Sequence, residues 1–338
     1  MPVNHVELGV RLGLEEQVKG WYSLARRALS FKVEGLKEVK PSSIVFLGLG
    51  GSGIVGDYVK TLCYDRLSIP VHVVKEARLP RWVGKDSLVV AVSYSGNTLE
   101  TLMAVEEALR RGCQVYVVSS NGRLIELAHR RELPYVKLDE GYAPRAALPL
   151  MFYPCLNLLG ELGLNVVEDD EIEESLEVLR DLDESLREAE GIALSLIEDR
   201  TPAIIADARY EALAWRFKSD LNENAKMSAK CEVVPESMHN DVVGYERRRS
   251  PLRALIISAG DDHLYTKLLE GFVKENLEEA QVSVKVLRLR GKSMLAKLMH
   301  GSHVSGLTSV AAAKMLGVEP EPTPSISKYK KALEELAK

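Results

Sequence analysis

Between residues 44 and 138, five short runs rich in β-branched side chains, at 44–47, 71–74, 88–92, 115–118 and 135–138, alternate with segments of helical length. Runs that stay apolar at consecutive positions suit strands buried on both faces, as in a parallel sheet covered by its own crossover helices. A second series follows at 203–206, 255–258 and 282–287, and a helix is expected over 304–316. The expected fold class is α/β, with two tandem doubly wound parallel sheets and flanking helices.

The segments around these sheets divide the chain further. Residues 1–40 are expected to be an N-terminal helical segment, 41–165 the first domain, 166–200 a connecting helix, 201–320 the second domain, and 321–338 a C-terminal helix. Within the connector, Ile172, Leu176, Leu179, Leu182 and Leu186 recur at near-helical spacing among acidic residues, which predicts one amphipathic helix with a solvated charged face. Pro320, Pro322 and Pro324 interrupt the pattern before the last helix at 325–338.

Composition excludes several classes of partner. With 338 residues and 46% hydrophobic content the chain can bury large cores, and its net charge of −5 gives no general attraction to nucleic acid or to an anionic membrane. No run is long enough to span a bilayer, and Glu7, Arg11, Glu15 and Glu16 stand where a secretory signal needs an apolar stretch, so a cytoplasmic protein is expected. Cys63, Cys113, Cys155 and Cys231 are widely spaced and form no metal-binding pair, so they are read as buried thiols and no metal is expected.

Two loops carry the chemistry. Gly48-Leu49-Gly50-Gly51-Ser52-Gly53 follows the first apolar run, and Ser93-Tyr94-Ser95-Gly96-Asn97-Thr98 follows the third. Glycine admits close backbone approach, and unpaired N–H groups at a helix start favour an anion. Hydroxyls at Ser52, Ser93, Ser95 and Thr98, with few cations nearby, suit the phosphate of a small sugar ester. Gly48, Gly50 and Gly53 also satisfy the dinucleotide G-x-G-x-x-G pattern, with Glu76 near the end of the second run. A nicotinamide enzyme is therefore a competing expectation, but it gives the second loop no task.

Three further positions stand out downstream. Glu223 sits between Asn222 and Asn224 near the end of an apolar helical stretch at 213–221, a costly composition for an ordinary helix interior. Alone it would be a surface carboxylate paired with Lys226, as His239 in Met238-His239-Asn240 would be a loop histidine and Arg145 after Pro144 a surface ion pair. Residues 227–236 offer nothing to assign.

Together these pieces resemble a known family. The two serine loops are similar to the sugar isomerase (SIS) domain, and Asn222-Glu223-Asn224-Ala225-Lys226, His239-Asn240, Pro144-Arg145 and Pro322-Thr323-Pro324 with Lys330 resemble the bifunctional phosphoglucose/phosphomannose isomerases. The likeness runs from about residue 43 to residue 330. It implies two SIS domains, a homodimer, no cofactor and no metal, and reversible isomerisation of glucose 6-phosphate and mannose 6-phosphate to fructose 6-phosphate through a cis-enediol.

By this resemblance Glu223 is the base, Arg145 stabilises the developing negative charge, and His239 from the partner subunit and Lys330 open the ring and handle its oxygens. Gly50, Gly51, Ser52, Ser93, Ser95 and Thr98 hold the phosphate. The C-terminal helix contributes to the site; Lys328, Lys330 and Lys331 crowd there, and Lys330 is chosen from its spacing after Thr323 and Ile326. Thr323 stands where strict glucose enzymes carry glutamine, which implies room for the mannose epimer. A non-catalytic sugar-phosphate sensor would need the serine loops but not Glu223 and His239, and an amide-transfer enzyme would need a glutaminase domain with an N-terminal cysteine.

Overall fold

The computed structural model describes residues 12–198, 200–246 and 251–336. Residues 1–11 of the expected N-terminal segment, with Glu7 and Arg11, and residues 337–338 of the last helix lie outside the described residues. Two short helices, α1 (Leu14–Lys19) and α2 (Trp21–Ala28), precede the first sheet. Its strands are β1 (Ser43–Leu47), β2 (Val71–Val74), β3 (Ser87–Val92), β4 (Gln114–Ser119) and β5 (Tyr135–Lys137), all parallel in the order β2-β1-β3-β4-β5. β1 and β3 are buried along their whole length, which is why their sequences lack polar alternation. The crossovers are α3 (Gly50–Cys63), α4 (Leu99–Arg110) and α5 (Gly122–Arg131), followed by α6 (Leu148–Glu161).

The order of the strands locates the crevice. β1 lies between β2 and β3, so the strand order switches direction at β1/β3, and ligands of such sheets bind beyond the carboxyl ends of the strands at that point. The two serine loops leave β1 and β3. The sheet does not have the 3-2-1-4 arrangement of the dinucleotide fold, and Glu76 is exposed just past the edge strand β2, so the nicotinamide expectation loses its structural basis.

The acidic connector is two helices, α7 (Asp169–Arg180) and α8 (Leu182–Leu196), where one was expected. Asp181 ends the first and caps the second by accepting the N–H of Glu184 at 3.3 Å, a local hydrogen bond that hydrophobic spacing cannot register. The second sheet follows with β6 (Thr201–Asp207), α9 (Glu211–Asn224), β7 (Lys230–Val234), β8 (Leu252–Ser258), α10 (Leu264–Leu268), α11 (Lys274–Glu279) and β9 (Ser283–Arg288). Its order, β7-β6-β8-β9, repeats that of the first sheet without a fifth strand.

β7 falls in the stretch that carried no expectation. It is an edge strand whose Lys230 and Glu232 interrupt the apolar run; the Glu232 side chain is buried and accepts the hydroxyl of Tyr245 and the ammonium of Lys230. The helix expected at 304–316 begins ten residues earlier, as α12 (Met294–Leu316). Its middle turns hold Gly301, Ser302, His303, Ser305 and Gly306, small or polar residues that mask the apolar period yet are all buried. They are small because neighbours press close: a Cβ at Gly301 would lie 2.4 Å from Leu213 Cδ2, and one at Gly306 2.9 Å from Val18 Cγ1. α12 thus packs against α1, α7, α8 and α9 at once, and α13 (Pro324–Leu336) ends the chain with no buried residue. Among the described residues no helix is long and apolar enough to cross a membrane.

Candidate active site

The first serine loop turns into α3 with Gly50 at φ +55°, a conformation that costs a non-glycine residue about 1–2 kcal/mol. Close approach explains the other glycines. A Cβ at Gly48 would meet Val92 O at 2.9 Å, which brings the ends of β1 and β3 together, and one at Gly51 would meet Pro144 O at 2.9 Å and Arg145 Cα at 3.1 Å. The glycine loop therefore lies directly on the segment that carries Arg145.

The two loops also bond to one another. Ser52 Oγ accepts the N–H of Tyr94 at 3.1 Å and faces Met151 Sδ at 3.4 Å, so this buried hydroxyl braces the second loop. Ser93 Oγ is 3.3 Å from Thr98 Oγ1, and Ser95 Oγ accepts the N–H of Asn97 at 3.4 Å. Thr98 is the residue before α4 and caps it with no side-chain bond, which leaves its hydroxyl turned to Ser93 and the helix start unpaired. The backbone N–H groups opening α3 and α4 and these hydroxyls form a donor-rich end to the sheet.

Arg145 joins this cradle to the second domain. Its side chain, 10% exposed, donates from Nε to Asn224 Oδ1 at 2.5 Å and from Nη2 to the carbonyls of Pro320 at 3.0 Å and Glu321 at 2.9 Å. Its Nη1 stands 3.8 Å from Glu223 Oε2. Asn224 in turn donates to Ser309 of α12 at 2.8 Å. Lys226, at φ +57° just past the end of α9, donates to Glu223 O at 2.5 Å and Pro322 O at 2.8 Å. The two cations thus strap the proline segment 320–322 beside Glu223, and Leu14 N fastens it from the other side on Glu321 Oε1 at 2.8 Å.

Burial raises the Glu223 carboxyl above the ordinary glutamate range; Arg145 opposes this and Asp220 adds to it. A carboxyl so placed, 27% exposed beside a guanidinium, can take a proton from a carbon acid near neutral pH, while the guanidinium stabilises an adjacent oxyanion. Burial and Arg145 together lower the Lys226 ammonium.

The fold brings together Gly50, Gly51, Ser52, Ser93, Ser95, Thr98, Arg145 and Glu223. Thr323 is half-buried at the start of α13, where its carbonyl accepts Ser327 N at 3.1 Å, one residue beyond the carbonyl held by Lys226. His239 is exposed on a 3₁₀ turn, Glu236–His239, and Lys330 is exposed on α13; neither bonds to Glu223 or Arg145 within the single chain. Sequence reasoning assigned no task to Asn224, Arg216 or Asp220. The available signal was spacing: residues 216, 220 and 223 recur at i+4 and i+3 and so share one helix face.

Residues 186–333 match the family model described as the bacterial phospho-glucose isomerase C-terminal SIS domain, and residues 39–126 match that of the SIS domain. The chain is 34% identical over 325 residues to the bifunctional phosphoglucose/phosphomannose isomerase of Aquifex aeolicus, covering 95% of this chain and 98% of that protein. It is 30% identical over 335 residues to the enzyme of the same name from Caldicellulosiruptor bescii, covering 96% and 97%. Among solved structures, a hypothetical protein of Thermus thermophilus superposes with a TM-score of 0.74 at 18% identity, covering 98% of this chain and 92% of that one, a likeness of fold.

Proposed function

Because the chain belongs to the bifunctional phosphoglucose/phosphomannose isomerase family, an isomerase family, we propose that it interconverts glucose 6-phosphate, mannose 6-phosphate and fructose 6-phosphate at the crevice beyond β1 and β3. The observation that carries the assignment of residues is the juxtaposition of a partly buried carboxyl, Glu223, with Arg145, on a loop that abuts the phosphate cradle at Gly51.

The sugar phosphate group sits on the N–H groups of Gly50 and Gly51 and the hydroxyls of Ser93, Ser95 and Thr98, with Ser52 bracing the two loops. Glu223 then moves one proton between C2 and C1: it takes the proton from the carbon beside the carbonyl, giving a cis-enediol, and returns it to the neighbouring carbon. Arg145 faces the oxygen on which charge builds. A positioned base contributes roughly 10²–10⁴-fold, and an oriented cation a comparable or larger factor. His239 from the partner subunit of a homodimer and Lys330 open the ring and handle its oxygens; the exposure of His239 in the single chain is consistent with a site completed by a second copy. Thr323, beside the strapped proline segment, leaves space for either C2 epimer. The reaction uses this chain's own groups and no cofactor, in the cytoplasm.

The test follows fructose 6-phosphate by NMR in deuterated water with chelator present. Glucose and mannose 6-phosphates carrying deuterium at C2 are expected, and Glu223→Gln should lower turnover by about 10²–10⁴-fold while still binding glucitol 6-phosphate, which has the phosphate and no carbonyl. Product without deuterium refutes proton transfer with solvent exchange, and an active Glu223→Gln refutes the base.

A further inference from the structure

Arg216 lies on α9 seven residues before Glu223 and is 4% exposed. A guanidinium in that position needs an opposite charge and polar partners to offset its desolvation. Three neighbours surround it. Its Nη2 donates to the main-chain oxygen of Arg145 at 2.8 Å, its Nε forms an ion pair with Asp220 Oδ2 at 3.3 Å without a hydrogen bond, and its Cζ lies 5.3 Å from the centroid of the Trp21 ring. Asp220, buried as well, accepts the hydroxyl of Ser305 at 2.8 Å. Trp21 is fully buried and donates from Nε1 to Ala146 O at 2.8 Å.

The carbonyls of Arg145 and Ala146 are thus gripped from two elements, α9 and α2, while the Arg145 side chain points to Glu223 and the proline segment. None of the three gripping residues bonds to the Glu223 carboxylate. A buried pair serving stability alone would need only charge opposite charge. Here one guanidinium pairs with a carboxylate through Nε, donates to a carbonyl through Nη2 and lies over an indole, a combination that the spread of its nitrogens permits and a single ammonium does not.

We propose that Arg216 is a positioning residue for the isomerisation: Asp220 and Trp21 hold its guanidinium against the Arg145 carbonyl, and this sets the Arg145 side chain opposite Glu223. The inference rests on the assignment of Arg145 and Glu223 to the reaction.

The experiment compares Arg216→Lys, Arg145→Met and the double variant, after thermal melts establish that each is folded at the assay temperature. kcat is measured with fructose 6-phosphate and Kd with glucitol 6-phosphate. Arg216→Lys should lower kcat by about tenfold or more, change Kd less than about twofold, and cost nothing further in the Arg145→Met background, because non-additivity marks residues acting through one another. A kcat within about twofold of the parent, or a loss that adds in full to that of Arg145→Met, overturns the proposal. If Arg216→Lys does not fold, Arg216→Met with Asp220→Asn removes both charges and takes its place under the same criteria. Parent-like kcat in Arg145→Met would instead overturn the assignment of Arg145, and the positioning role with it.

Discussion

Gly51→Ala tests the link between the cradle and the reacting groups, because its Cβ meets backbone. The added carbon would lie 2.9 Å from Pro144 O, 3.0 Å from Pro144 C and 3.1 Å from Arg145 Cα. Three backbone atoms cannot rotate away as a side chain would, so either α3 or the Arg145 segment shifts by several tenths of an ångström. Overpacking of this kind costs roughly 1–3 kcal/mol of stability, and a displacement of about 1 Å at reacting groups costs about a hundredfold in rate. We expect kcat/KM to fall by about ten- to a hundredfold, with Tm lowered by a few degrees.

Gly56→Ala on the same helix is the comparison. Its Cβ would lie 2.6 Å from Phe46 Cβ and 3.1 Å from Val73 Cγ1, a core clash without contact to Arg145. It should lower Tm by at least as much and leave kcat/KM per folded molecule near the parent value. Coupled-assay kinetics with thermal melts of both variants decide the matter. A Gly51→Ala enzyme with parent-like kcat/KM, or equal activity losses in both variants, would refute the argument that the loop's closeness to Arg145 sets the rate.

Three further outcomes are expected. The base role proposed for Glu223 requires the ionised form, and its raised carboxyl should place the acid limb of kcat/KM above the ordinary glutamate range; Arg145→Met removes a charge that opposes the rise, so the limb of its residual activity should move higher still. A limb unmoved or lowered in that variant would contradict the electrostatics. Thr323→Gln should depress mannose 6-phosphate conversion more than glucose 6-phosphate conversion, and equal losses in parallel kinetic assays would show that residue 323 does not read the C2 configuration. His303 gives a stability prediction away from the site. It is fully buried, stacked on Trp21 at 5.5 Å between ring centroids, with Nε2 3.1 Å from Val18 O, and burial drives it from its ordinary 6.5 down to about 3. The unfolded chain binds this proton first, so stability from the neutral form is complete above pH 6.5 and declines as pH falls, by up to about 1.4 kcal/mol per unit until the folded value is reached. Denaturant melts between pH 7 and 5 should show this slope, and it should be shallower in His303→Leu; equal slopes would mean that other groups carry it.

The sequence by itself determined the parts of this protein that are local. Strands buried on both faces must be apolar at nearly every position, so β1, β3, β4, β6 and β8 were legible, the edge strand β9 was legible from its alternating valines, and turns that need glycine or a hydroxyl at a helix start wrote the loops at 48–53 and 93–98 into the chain. The expectation for Glu223, Arg145, His239, Thr323 and Lys330 came from resemblance alone, since each residue by itself fits an ordinary surface role; the fold brings Arg145 to Glu223 and leaves His239 and Lys330 exposed. What escaped depended on contacts between distant segments. β7 is polar because it is an edge strand, Asp181 splits a continuous apolar stripe by a cap, and α12 carries glycines at 301 and 306 because α9 and α1 press against them. Only the tertiary structure decided that the two sheets share one strand order, that Arg145 of the first domain bonds Asn224 of the second, and that carbonyls 320–322 close beside Glu223. Such bonds join residues about 80 to 175 positions apart, where sequence periodicity carries no signal and only packing can bring donor to acceptor.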